Sequence, residues 1–278
     1  MKKSIFALSV IAAIEFLITS CASTKINLSE QSPIAVISII GNTQVPWVDE
    51  EAETTPTGEP EAEGLLTSLA NKFADGKNPE NLTAIDRLDY AFDSASQIIP
   101  ELTGCQVLPK ADVIETESYK FMSPSYFNIM AASKTATGFK DFTTIGAKKA
   151  RLFMNEIGAN SALILSFTFQ KQIAKGSRSS GTIEGIVTLK AKLLDKRGRE
   201  VINKIYTAVT PEPQRISSGQ YDKDALVSAL NDAIDIAIRQ FCIDLMKNSV
   251  VPAEETKEAE ESQAQAIAIP IRTTPSAQ

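Results

Sequence analysis

Two successive stretches between residues 161 and 195 alternate their side chains with a period of two, and this pattern constrains the fold more than any other feature of the chain. In the first, Leu163, Leu165, Phe167 and Phe169 alternate with Ile164, Ser166, Thr168 and Gln170. In the second, Ile183, Gly185, Val187, Leu189, Ala191 and Leu193 share one face, and Glu184, Thr188, Lys190 and Lys192 share the other. A period of two is that of a strand with one buried face. The loop Gly176–Gly181 and the turn Asp195-Lys196-Arg197-Gly198-Arg199 reverse the chain, and a third strand runs from about Glu200 to Val209. One face of this sheet must be buried, and the other is wet or covered by helices.

The flanking segments supply further elements. Ile34–Ile40 is an apolar, β-branched run that reads as a strand buried on both faces. Residues 83–99 carry Ile85, Leu88, Phe92, Ala95 and Ile99 at helical spacing, closed by Pro100. Gln106–Ile114 reads as a second strand, interrupted by Pro109. Ser123-Pro124 opens a short helix through Tyr126, Phe127 and Met130, and Thr144–Ile157 forms another helix, ended by Gly158. Residues 222–247 form the last helix, with Leu226, Leu230, Ile234, Ala237, Phe241 and Leu245 on its stripe. The resulting order is β-α-β-α-α-β-β-β-α, a single mixed-sheet α/β domain over residues 33–250. Residues 42–81 interrupt it with nine acids against two lysines and four prolines, which predicts a mostly mobile acidic insertion with a short helix near Leu65–Phe73. Residues 251–278 shift to Glu, Ala, Gln and Thr and read as a disordered tail.

Composition removes several chemistries. The chain has no histidine, which eliminates Ser-His-Asp and Cys-His catalysis and histidine-ligated metals. No P-loop, Gly-x-Gly-x-x-Gly or Ser-x-x-Lys motif occurs, and no pair of carboxylates stands out, so the expectation is a non-enzyme without cofactor or metal. The formal charge is −6, a poor balance for nucleic-acid binding. That acidity sits in the insertion and the tail, and the remaining body is mildly basic.

The amino terminus places the chain. Lys2 and Lys3 precede the apolar run Ile5–Ile14, which is too short to span a bilayer and has the length of a signal h-region. Leu17-Ile18-Thr19-Ser20-Cys21 follows and resembles the lipobox of bacterial lipoproteins, with Glu15 as a departure from the pattern. The resemblance implies a signal peptide over 1–20, cleavage before Cys21, and diacylglyceryl and N-acyl groups on Cys21, with 21–32 as the tether. Two or three acyl chains anchor stably where one does not. Ala22 after the cysteine implies the outer membrane, facing the periplasm.

The body resembles a periplasmic α/β domain shared by the curli-secretion lipoprotein, the lipoprotein activators of penicillin-binding proteins and the amino-terminal domain of the Tol translocation protein. The resemblance rests on the lipobox, the early apolar strand, the passage Gly158–Phe167, and the long hairpin with its Leu194-Asp195-Lys196-Arg197-Gly198 turn. It implies a binder or assembler in the cell envelope with a protein partner, and leaves an oligomer open. A lipid or small-ligand carrier is the alternative, and a secretion-ring subunit is a further one, although no membrane hairpins stand out.

Three groups of side chains are candidates for function. Cys105 and Cys242 are either a disulfide pinning the last helix to the sheet or two buried thiols. Lys190, Lys192, Lys196, Arg197 and Arg199, with Lys171, Lys175, Arg178 and Lys204, are either a contact surface for an acidic partner, headgroups or anionic polymer, or a solvated edge. Tyr119, Phe121, Met122, Tyr126 and Phe127 crowd into nine residues, two of them core and the rest a contact patch. Trp47 packs the base of the insertion or anchors a partner.

Overall fold

The strand Ile34–Asn42 (β1) is buried over its first eight residues, as its apolar run predicts, and the one polar side chain among those eight, Ser38, accepts from Phe142 N at 3.1 Å. The computed structural model describes residues 26–42, 44–48, 84–125 and 133–249, with side chains from 87 onward in the first helix of the 84–125 segment. Cys21, the expected helix near Leu65–Phe73, Tyr126, Phe127, Met130 and the tail from 250 lie outside the described residues. The unit Leu28–Lys247 carries a mixed α/β sheet. Apart from it, the short stretches Ile26–Asn27 and Asn248–Ser249 form a parallel bridge, in which Ile26 N–H donates to the Asn248 carbonyl at 2.8 Å.

Within the unit, the elements after β1 follow in chain order. They are helices Ala84–Thr103 (α2), Lys110–Ile114 (α3) and Glu117–Phe121 (α4), strand Ser133–Thr135 (β2) and helix Ala147–Ile157 (α5). Strands Ser161–Gly176 (β3), Gly181–Asp195 (β4), Glu200–Val209 (β5) and Gln214–Ile216 (β6) come next, then helix Lys223–Lys247 (α6). A short helix, Leu28–Gln31 (α1), precedes β1 inside the stretch read as tether. The sheet order is β2-β1-β3-β4-β5, with β6 paired to the start of β4. β1 runs parallel to β3, and the other pairs are antiparallel.

Two layers of helix cover this sheet. α2 and α6 take the face that carries Leu163, Leu165, Phe167, Phe169, Val187 and Leu189, all buried. They are tied by Asp235, which accepts from Tyr90 Oη at 3.0 Å and Ser94 Oγ at 2.5 Å. α6 comes close to β4 because Gly185 has no side chain: a Cβ there would stand 2.6 Å from Leu230 Cδ2. On the opposite face, Ala35, Ile37, Ala162, Ile164 and Leu194 pack with Val113, Tyr119, Phe142, Phe153 and Met154 from α3, α4, α5 and their loops. A fully buried side chain of this size stabilises by about 1.5–3 kcal/mol relative to exposure.

Several expectations need correction. The strand expected at Gln106–Ile114 is reduced to a bridge between Val107 and Ile34. Pro109 then opens α3 with its fixed φ of −54° and no N–H to lose. Pro100 does not close α2, which runs on to Thr103, because Gly104 at φ +70° makes the cap and donates to the Pro100 carbonyl at 3.0 Å. Ser123–Ser125 are not helical, and the rest of the helix expected there, from Tyr126 on, lies outside the described residues; α4 precedes it, with Thr116 Oγ1 accepting from Tyr119 N. α5 starts at Ala147 rather than Thr144, and β6 had no expected counterpart. The alternating strands, the Gly158 cap at φ +70° and the stripe of α6 are as read.

Candidate functional site

Five large apolar side chains stand exposed among the described residues, and two of them line one hollow between α4 and α5. Phe121 is 82% exposed and Leu152 57%. They border a hollow of about 340 Å³ with Met122, Ser123, Lys149 and Glu156. A second hollow of about 420 Å³ continues from Met122, Ser123 and Lys149 along Pro124, Ser125, Thr144 and Lys148.

The walls of this groove are held from below. Tyr119 is buried, donates its hydroxyl proton to the Ile37 carbonyl at 3.0 Å and accepts from Lys140 N–H at 2.8 Å. Burial pushes its phenol well above the ordinary range, so it stays a neutral donor. Lys140 Nζ donates to the carbonyls of Tyr119, Lys120 and Met122, at 3.0, 2.5 and 3.0 Å. A cation thereby gathers carbonyls at the end of α4, one of which, that of Tyr119, also accepts from Met122 N–H at 3.3 Å. Phe121 sits between those carbonyls and is displayed on a fixed backbone. On the other wall, Ser125 N–H donates to the Asp141 carbonyl at 2.7 Å, and Ser125 Oγ accepts from Thr144 Oγ1 at 2.8 Å.

α5 supplies the charge. Ala150, Phe153 and Met154 face the core, which leaves Lys148, Lys149, Arg151, Leu152 and Glu156 outward. The β4–β5 turn packs on the first residue of this helix, since a Cβ on Gly198 would lie 2.2 Å from the Ala147 carbonyl oxygen. Lys196 and Arg197 of the turn are exposed beside it. The groove is therefore an apolar centre, Phe121 and Leu152, with Lys148, Lys149 and Glu156 as the charged groups of its lining.

The basic residues singled out in the sequence are divided by the fold. Lys196 and Arg197 are exposed in the turn that packs on Ala147, and neither lines the two hollows. Arg199 is held by Asp195, whose Oδ2 accepts from Nε at 2.9 Å and Nη2 at 2.7 Å. Burial works against the Asp195 charge, but the N–H groups of Arg199 and Arg197 and the Arg199 guanidinium hold its carboxyl below the usual range. Lys192 pairs with Glu200 at 2.5 Å, and this hydrogen bond, with another from Asn203, lowers the Glu200 carboxyl. Lys190 is exposed on the open sheet face, and Lys204 pairs with Asp244 at 2.8 Å. Lys171 and Arg178 are buried against Trp47, at 4.7 and 4.2 Å from its ring centre. Trp47 thus packs the base of the insertion, clustered with Ile183, Ile216 and Leu226.

Cys105 and Cys242 are buried thiols, and Cys105 Sγ donates to the Leu28 carbonyl at 3.5 Å. Burial, then the neighbouring Cys105, pushes the Cys242 thiol up to about 12. Of the aromatic cluster, Tyr119 is core and Phe121 is surface. Leu152, Lys148, Lys149 and Arg151 escaped the sequence reading. Their signal is there: Leu152 stands off the Ala150-Phe153-Met154-Ile157 stripe, among bases, in a helix short of acids. Among the described residues no helix is long and apolar enough to cross a membrane, and no cluster of His, Cys, Asp and Glu could hold a metal.

No family model matches the chain, and no characterised protein matches it in sequence. Among solved structures it is similar to the LpoB C-terminal domain from Salmonella enterica, with 11% identity and a TM-score of 0.25 over 66% of this chain and 94% of that one. It is also similar to lipoprotein GNA1162 from Neisseria meningitidis, with 15% identity and a TM-score of 0.27 over 73% and 94%. Similarities at this level assign neither ancestry nor function.

Proposed function

We propose that this chain is an outer-membrane lipoprotein, anchored through acyl groups on Cys21 at the periplasmic face, that works without catalysis by protein contacts in envelope assembly or maintenance. The observation that carries the contact reading is the groove between α4 and α5, where Phe121 and Leu152 stand exposed on a rigid frame and Lys148 and Lys149 line the hollows beside them. Aromatic anchors inside a polar rim are the pattern of an interface centre. The cations favour a partner segment that offers carboxylates around an apolar anchor. A second reading, carriage of a lipid or small ligand, draws on the groove volume of about 340 Å³, within the usual range for ligand sites.

Mass spectrometry of the amino-terminal peptide from membranes tests the anchor. The expected mass is that of a peptide beginning at a triacylated Cys21, absent from Cys21→Ser. An unmodified amino-terminal peptide overturns the anchor. Native mass spectrometry of the detergent-extracted protein separates the two readings of the groove: bound protein supports contacts, and bound lipid supports carriage.

A further inference from the structure

β5 ends the sheet, and among the described residues nothing pairs with its outer edge. It is ten residues long, has no proline, and has no register shift between Ile202 and Val209. Natural sheets usually blunt such an edge with short strands, bulges, proline or inward charges. Here the edge keeps apolar side chains in the open. Ile205 is 65% exposed and Val209 39%. Ile243 is 43% exposed on α6 next to Asp244, which accepts from Lys204 Nζ and Tyr206 Oη at 2.8 and 3.0 Å. These are the remaining three exposed large apolar side chains, and they are separate from the α4–α5 groove.

The strand is also complementary to itself. A twofold axis normal to the sheet keeps the helix-covered faces on one side, so opposed residues must share a face, and the axis must pass through a residue rather than between two. The two most nearly central choices are Lys204 and Ile205. An axis at Lys204 sets Lys204 against its own copy, an unfavourable like-charge pair. An axis at Ile205 sets Ile205 on Ile205, Asn203 opposite Thr207, and Lys204 opposite Tyr206. No like charges meet, and the most exposed apolar side chain of the open face meets its own copy at the seam. We propose that β5 is a homodimer interface: two copies pair their β5 strands antiparallel about a twofold axis at Ile205, which makes one continuous sheet. The inference is independent of the anchor and of the α4–α5 groove.

Sedimentation of the full chain in detergent, with the detergent mass subtracted, tests it. The expected protein mass is that of two chains. Ile205→Lys, which sets two ammonium groups on the axis, is expected to halve that mass while circular dichroism stays unchanged. A register test covers the case in which Ile205→Lys does not fold: Ile205→Cys should give a disulfide-linked dimer under mild oxidation, and Lys204→Cys should not. A monomeric parent chain, a dimer that persists in folded Ile205→Lys, or equal cross-linking from positions 204 and 205 overturns the proposal.

Discussion

Gly198, in the β4–β5 turn, lies against the backbone of Ala147 at the start of α5, so closely that a Cβ would stand 2.2 Å from the Ala147 carbonyl oxygen. Its φ of +78° also disfavours any side chain. This contact fastens the turn bearing Lys196 and Arg197 to the helix bearing Lys148, Lys149 and Arg151. Gly198→Val combines backbone strain with overlap and should destabilise by about 2–4 kcal/mol. Urea unfolding followed by circular dichroism measures it, and an unchanged midpoint would mean that the turn does not rest on α5.

Asp195 makes that turn rigid from within, by accepting from the N–H groups of Arg197 and Arg199 and from the Arg199 side chain. Asp195→Asn should cost about 2 kcal/mol at neutral pH, because charge-assisted bonds of a nearly buried carboxylate are lost. The folded-state pKa lies below the unfolded value, so the contribution is full above the unfolded pKa and fades as pH falls through the folded one. The gap between parent and Asp195→Asn should therefore hold steady from pH 7 to about 5 and narrow below about 4. Parallel unfolding curves across that range decide it.

Phe121 and Leu152 contribute little to the core, so Phe121→Asp and Leu152→Asp should change stability by less than about 0.5 kcal/mol. Each should nevertheless abolish partner binding, because a carboxylate would stand at the centre of an interface meant for an apolar anchor. Lys140→Met should weaken the same binding less severely by freeing the end of α4. Co-purification of the partner with each variant, beside a melting curve, separates contact from folding.

β4 and α6 are readable in sequence because each presents one side-chain period over ten or more residues that agrees with its burial, and β3 shows the same period beyond Leu165. Residues 105–125 are not readable in the same way. Val107, Leu108, Val113 and Ile114 look like a strand broken by Pro109, yet the proline opens a helix and the apolar pair of α3 turns inward. Pro100 misleads in the opposite sense, since Gly104 supplies the cap four residues later. Charge is legible as composition but not as placement. Lys171 and Arg178 resemble their exposed neighbours until Trp47 arrives from 124 and 131 residues away to cover them. Leu152 is visible as an apolar residue off its helix stripe, but the hollow it shares with Phe121 depends on tertiary packing.

Cys242 has its thiol pushed up to about 12 by burial, so almost none of it is thiolate at neutral pH. A thiol-disulfide reagent should leave folded protein unmodified over hours and titrate both Cys105 and Cys242 in guanidinium. A protein whose two cysteines stay silent even when unfolded would carry the disulfide in the cell.

Photo-cross-linking in intact cells tests the proposed contact function most directly, with a photoreactive amino acid at Leu152 and, for comparison, at Thr168 on the open sheet face. The expected result is a discrete adduct from position 152, absent when Phe121→Asp is added, and no such adduct from position 168. No adduct from position 152, or the same adduct from both positions, would contradict the assignment of the α4–α5 groove as the surface through which this protein acts.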